Sequence, residues 1–158
     1  MPVTAYIGLG ANLGPREATL QWALATLRAT PGIAVVRVSD FITTHPVGGP
    51  AAQPDYLNAA AALNVTLSPT ELLRVLLELE RQAGRERSQE VRFGPRKLDL
   101  DILLYGDLVL HVPHLTIPHP RMHERGFVLK PLQQIAPAVK HPIFGTTVAQ
   151  MYAALHAP

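Results

Sequence analysis

The stretch Arg96-Lys97-Leu98-Asp99-Leu100-Asp101-Ile102-Leu103-Leu104-Tyr105 decides how the chain folds. On a strand rising ~3.3 Å per residue, positions two apart share a face, so Asp99 and Asp101 stand side by side, roughly 6–7 Å apart at Cα. Leu98, Leu100 and Ile102 line the opposite face, against the core. Just past Tyr105, Gly106-Asp107 reads as a hairpin turn leading into a further strand at Leu108–Val112.

Upstream lies the best-signalled helix. Ser68 is a natural N-cap, Pro69 fits the first helical position, Glu71 completes a capping box and Gly84 stops the run. Leu72, Leu76, Leu79 and Ala83 form its apolar stripe. At the start of the chain, Val3–Leu9 reads as a buried strand. Pro15 then begins a helix over about 15–29, with Leu20, Leu24 and Leu27 on one face. Residues 34–43 and 57–67 read as strands, and the tail offers short helices near 121–135 and 146–156. The order βαββαββα predicts an α+β domain, an antiparallel or mixed sheet with helices on one side. With 158 residues and no repeat or composition break, the chain reads as one domain, 1–158.

Composition excludes several classes. Hydrophobic content of 47% against 16% charged residues supports a packed core and argues against disorder. The absence of cysteine rules out a disulfide framework or thiolate metal site and fits a reducing cytoplasm. The first residues lack the basic start and long apolar run of a signal peptide, and no apolar run nears the ~20 residues of a membrane helix. The net charge is +2, too small for a molecule-wide nucleic-acid binder. It is unevenly spread. Residues 81–97 hold six basic and two acidic side chains, hence +4; the other eight basic and ten acidic residues leave −2. A local basic patch of this kind fits a compact anionic ligand. Proline is frequent, at 15 residues, and clusters in two loops: one at 45–54, the other through Pro113, Pro118 and Pro120. Long loops in compact domains are often lids.

Four constellations carry chemistry. Gly8-Leu9-Gly10-Ala11-Asn12-Leu13-Gly14 has its third glycine one residue late for a dinucleotide fingerprint, so a tight strand-to-helix turn is the expectation. The Asp99/Asp101 pair offers hard oxygen ligands of the kind Mg²⁺ takes alongside substrate phosphates. Arg85, Arg87, Arg92 and Arg96 precede it with guanidinium forks suited to phosphate oxygens, and no Walker motif occurs. The run His111, His114, His119 and His123 invites zinc only weakly, given its interleaved prolines; one histidine on a phosphate, helped by Arg125, is the better expectation. Finally, Tyr56 and Phe127 could sandwich a flat heterocycle whose edge Asn58 reads in both directions. An RNA-binding module using the 81–97 patch is the rival, but same-face aspartates would repel a nucleic-acid backbone.

Together these segments resemble the 6-hydroxymethyl-7,8-dihydropterin pyrophosphokinase family. The match runs from Tyr6–Gly14 through Gln53–Ala60, Phe93–Leu104 and Ile117–Pro120 to Arg125–Leu129, with Phe93 where tryptophan is common. The resemblance implies a ferredoxin-like fold and transfer of the β,γ-diphosphate of ATP to the pterin hydroxymethyl group, releasing AMP, in folate biosynthesis. It implies that Asp99 and Asp101 hold two Mg²⁺ ions and that Arg85 and Arg96 act on the transferring group, with either Arg87 or Arg92 taking the loop phosphate role. Glu80, Ile102, Thr116, His119 and Arg125 match ATP contacts; Tyr56 and Phe127 match the pterin sandwich; Thr44, Pro46, Val47 and Asn58 match the groups at its edge. The loops become lids. The chain is expected to be a cytoplasmic monomer that binds neither membrane nor nucleic acid. A catalytically silent pterin- or nucleotide-binding relative is the alternative.

Overall fold

A computed structural model describes residues 2–44, 55–84 and 97–156. The backbone runs β1 (Val3–Ala11), α1 (Arg16–Arg28), β2 (Ile33–Val38), β3 (Ile42–Thr44), β4 (Tyr56–Val65), α2 (Pro69–Gln82), β5 (Asp99–Tyr105), β6 (Leu110–Val112), β7 (Leu115–Ile117), a 3₁₀ turn at Met122–Glu124, α3 (Gly126–Ile135) and α4 (Val148–Leu155). The main sheet is antiparallel in order β2-β4-β1-β5, with β3 also paired to β4. Counting β2 and β3 as one interrupted strand, this is the βαββαβ arrangement of a ferredoxin-like α+β sandwich, as predicted.

The helices cover both faces rather than the expected one. Ile7 and Leu9 of β1, Ala59, Ala61 and Leu63 of β4, and Leu100 and Ile102 of β5 pack with α1 and α2 in one core. Ala60, Ala62, Leu103 and Leu104 pack with Val128, Leu129 and Leu132 of α3 and Met151 of α4 in a second. The cause lies in β4, which sets Ala59, Ala61 and Leu63 on one side and Ala60 and Ala62 on the other, so each face has apolar surface to bury.

Local chemistry explains the boundaries. Helix α2 carries the predicted capping box: Ser68 Oγ accepts from the Glu71 N–H at 3.2 Å, while Glu71 Oε1 accepts from the Ser68 N–H at 2.8 Å. Leu72, Leu76 and Leu79 are buried, and Gly84 ends the run at φ +91°. Pro15 is the N-cap of α1, one position earlier than a first helical residue, because its ψ of 81° is not helical.

Three expectations are corrected. The strand expected over 34–43 is split, because the Ser39 hydroxyl accepts the Ala60 N–H (2.8 Å) where a continuous strand would offer a carbonyl, and the Asp40 N–H turns away to Gln134 (2.9 Å). Gly106 does turn the chain at φ +54°, but β5 pairs with β1 and forms no hairpin with residues 108–112. The hairpin instead joins β6 to β7 across Pro113-His114. The second proline-rich segment is thus largely this small sheet. Pro113 and Pro118 sit just outside its strands, where a missing N–H breaks no ladder bond. The Ile117–Pro118 bond is cis.

Because the capping box satisfies two otherwise orphaned helix N–H groups, Ser68→Ala should destabilise the fold by ~1 kcal/mol. A lowered urea midpoint at unchanged slope would show this; an unchanged midpoint would mean the box contributes nothing.

Candidate active site

Strand register builds the site. β1 lies between β4 and β5, and Gly10 pairs with Asn58 on one side and Asp99 on the other. Two residues along, Gly8 pairs with Ala60 and Asp101. Paired residues share a face, so Asp99 and Asp101 stand on the α3 side of the sheet, beside strand positions that carry no side chain. Leu98, Leu100 and Ile102 are buried in the opposite core, as the alternation predicts. Both aspartates are half-buried. A Cβ added to Gly10 would lie 2.9 Å from Asn58 Oδ1 and 3.5 Å from the Tyr56 ring, which places Tyr56 and Asn58 over this glycine.

Asn58 is only 7% exposed, and its Nδ2 donates to Thr44 Oγ1. The structure therefore joins Thr44, Asn58 and Tyr56 into one cluster at the β3–β4 end. Phe127, the second residue of α3, packs against the core on the same sheet face, with the Arg125 guanidinium 5.6 Å from its ring centroid. Arg125 is the N-cap of α3.

On the outer edge of β5, Glu80 is 3% exposed and its Oε2 accepts the Leu100 N–H at 2.8 Å. Ile102 has its side chain in the core at 4% exposure. Its main chain, two residues from Leu100, points to the same outer edge as the Leu100 N–H, so only its backbone can serve a ligand. The bulge opposite Tyr6/Ile7 then lets Leu103 present its carbonyl outward, where the His119 N–H donates to it at 2.9 Å. His119 thereby sits next to the strand carrying the aspartates. Its Nδ1 accepts the Arg121 N–H at 3.2 Å. Burial, reinforced by Arg125 and Arg121, pushes its pKa down to about 4. His119 is consequently neutral near pH 7, with its remaining proton on Nε2, a donor for an anionic oxygen. Thr116 lies on β7 with its hydroxyl 3.2 Å from His111 Nδ1.

The histidines do not converge. His111 meets Thr116, His119 meets the Arg121 backbone, and His123 packs edge-on to Phe144, itself stacked on His141. Among the described residues there is no group of three or more potential metal-ligating side chains. The aspartates stand as a pair, which is what a cation completed by substrate oxygens needs. Pro46, Val47, Arg85, Arg87, Arg92 and Arg96, like the 45–54 loop, lie outside the described residues. Arg16 carries no signal in the sequence. Its guanidinium donates to the Asp55 carbonyl at 2.6 Å, a contact 39 residues away in the chain that no local pattern marks.

Fold and site define a class, a ferredoxin-like α+β protein with paired carboxylates and a ring-and-amide cluster on one sheet face. The family model for 7,8-dihydro-6-hydroxymethylpterin-pyrophosphokinase matches residues 6–137. A 2-amino-4-hydroxy-6-hydroxymethyldihydropteridine pyrophosphokinase from Synechocystis is 47% identical over 147 residues, covering 93% of this chain and 73% of that protein. The enzyme of the same name from Bacillus subtilis is 44% identical over 136 residues, covering 86% and 80%. The chain belongs to this pyrophosphokinase family. Among solved structures, Plasmodium falciparum HPPK-DHPS with pteroate superposes with a TM-score of 0.75 at 14% identity, over 98% of this chain. At that identity the likeness concerns the fold, and this chain spans only 42% of the Plasmodium one.

The depressed His119 pKa has a signed consequence. Between its ordinary value of 6.5 and about 4 the unfolded chain binds more protons than the folded one. Stability should therefore fall as pH drops through that window and be level above it. His119→Gln cannot titrate, so its stability should fall less steeply from pH 6.5 to 4 in urea titrations; equal slopes would contradict the burial of a neutral imidazole.

Proposed function

We propose that this pyrophosphokinase of folate biosynthesis, which takes ATP as co-substrate, works on the α3 face of its sheet. There the triphosphate lies along β5 and the pterin at the β3–β4 end. The observation that carries this is the register that sets Asp99 and Asp101 opposite Gly10 and Gly8, in the same rows as Asn58 and Ala60. The glycines of β1 let neighbouring side chains lie directly over that strand, Leu103 over Gly8 and Asn58 with Tyr56 over Gly10, which brings the ring-and-amide cluster into the rows that hold the aspartates.

The pterin ring stacks between Tyr56 and Phe127. Asn58, oriented by Thr44, pairs with its edge, presenting both a donor and an acceptor. Such a site rejects a ring lacking matching groups, since its buried amide would be left unpaired. In the reaction the pterin hydroxymethyl oxygen bonds to the β-phosphorus of ATP, the bond from that phosphorus to the α-phosphate oxygen breaks, AMP leaves and the hydroxyl proton is released. Positioning the two substrates in line provides much of the acceleration.

Asp99 and Asp101 fit Mg²⁺: two half-buried carboxylates on one sheet face, hard oxygen ligands that substrate phosphates would complete. Bound there, two Mg²⁺ ions would neutralise phosphate charge. His119 donates from Nε2 to a phosphate oxygen while remaining uncharged, and Arg125 adds positive charge beside it. The family pattern assigns Arg85 and Arg96 to the transferring group and Arg87 or Arg92 to the loop phosphate contact. Glu80 acts at the nucleotide side by holding the Leu100 backbone, Ile102 through its main chain and Thr116 through its hydroxyl. The enzyme acts as a monomer in the cytoplasm.

Incubation with 6-hydroxymethyl-7,8-dihydropterin, ATP and Mg²⁺ should yield AMP and the pterin diphosphate in equal amounts, and none with EDTA. ADP as product would contradict diphosphate transfer, and no turnover would favour a silent binding relative. Asp101→Ala should lose at least about a hundredfold in kcat, the scale of removing one preorganised electrostatic group, with its thermal transition retained. Normal turnover in that variant would remove the carboxylate from the mechanism. Gly10→Ala places a Cβ 2.9 Å from Asn58 Oδ1. It should raise the pterin KM about tenfold, the cost of one displaced hydrogen-bonding group, with the ATP KM unchanged; equal effects on both would contradict the pocket's location.

A further inference from the structure

We infer that Arg16 is a positioning residue for the pterin pocket, holding the main chain at the start of β4 so that Tyr56 and Asn58 keep their places over Gly10. Arg16 is the first residue of α1, and its Nη1 donates to the Asp55 carbonyl at 2.6 Å in a half-buried contact. Asp55 immediately precedes Tyr56, where β4 begins. The bond therefore ties the two strand ends that make the pocket: the exit of β1 just past Gly10, through the 12–15 turn, and the entry of β4.

Nothing in α1 itself calls for arginine at this position. A cation in the first turn opposes the helix dipole, and Pro15 offers the helix no side-chain cap. What the guanidinium gains is a charge-assisted bond to a carbonyl, stronger than a neutral one and fixed in direction by the planar fork. The direction matters because the tolerance at the pocket is small. The Tyr56 ring lies 3.5 Å from the point a Gly10 Cβ would occupy, and a stacking ring is aimed by its backbone. On its C-terminal side that backbone is held by ladders to Ala11 through Leu57 and to Thr44. On the N-terminal side Arg16 reaches the chain one residue before the ring.

This inference rests on the pocket assignment given above, and the test separates the two. Binding of 6-hydroxymethylpterin is measured by calorimetry in the presence of a non-hydrolysable ATP analogue, alongside KM and kcat, for Arg16→Met, Arg16→Lys and Tyr56→Ala. Arg16→Met should weaken pterin binding about tenfold, the scale of one charge-assisted bond. Its affinity for the ATP analogue and its kcat at saturating pterin should stay within about twofold. Arg16→Lys, which keeps one donor for the carbonyl, should recover most of the loss. Tyr56→Ala should weaken pterin binding at least as much. If Tyr56→Ala binds pterin normally, the pocket assignment falls. If Tyr56→Ala is impaired while Arg16→Met is not, or if Arg16→Met weakens both ligands equally, the positioning role is overturned.

Discussion

The registration of β1 between β4 and β5 is the constraint on which everything on the α3 face depends. Two glycines spaced two apart stand on that face of β1 where β5 contributes its aspartates and β4 its asparagine. Glycine weakens a strand, by roughly 0.5–1 kcal/mol against alanine, so two in one row are a local loss of stability. They leave room for Asn58 and Tyr56 to lie over Gly10 and for Leu103 to lie over Gly8. A slip of one residue would turn Asp99 and Asp101 into the α1/α2 core and put Leu100 on the ligand face. The apolar pattern of β5 forbids that slip, since Leu98, Leu100 and Ile102 are all buried on the other side. Hydrophobic burial thereby fixes the position of the polar chemistry.

The strand with the aspartates is also at the edge of the sheet, and edge strands are the most easily displaced. Here the outer edge is occupied. Glu80 accepts the Leu100 N–H and His119 donates its own N–H to the Leu103 carbonyl. A buried carboxylate is costly unless satisfied, so Glu80 constrains α2 and β5 to move together. The same two residues match ATP contacts in the family pattern, so the proposed nucleotide site would share atoms with the bonds that hold this edge.

What could be read from the sequence depends on how local each signal is. The α2 cap, its apolar stripe and the two-residue alternation of β5 are encoded within a few positions, and all hold. The same-face aspartates follow from alternation alone. Other features depend on partners far along the chain. Ser39 splits a β-rich run only because Ala60 stands beside it, and the hairpin moves from Gly106 to Pro113-His114 because Glu80 and the His119 N–H occupy the outer edge of β5. Helices cover both faces because β4 is apolar on both, a pattern that reads simply as a buried strand until the order of its neighbours is known. Arg16 is silent for the same reason: its carbonyl partner is set by tertiary structure. The pterin and phosphate assignments come from the resemblance, and the register explains why Asp99, Asp101 and Asn58 share one sheet face.

The central claim is that the glycine-floored rows make Asp99 and Asp101 the holders of two divalent ions in the ATP complex. Mn²⁺ binding, followed by electron paramagnetic resonance with a non-hydrolysable ATP analogue and 6-hydroxymethylpterin present, tests it most directly. The account predicts two ions per chain in the native protein and loss of that protein-dependent binding in the isosteric Asp99→Asn/Asp101→Asn variant. Two ions bound with unchanged affinity in the variant would contradict it.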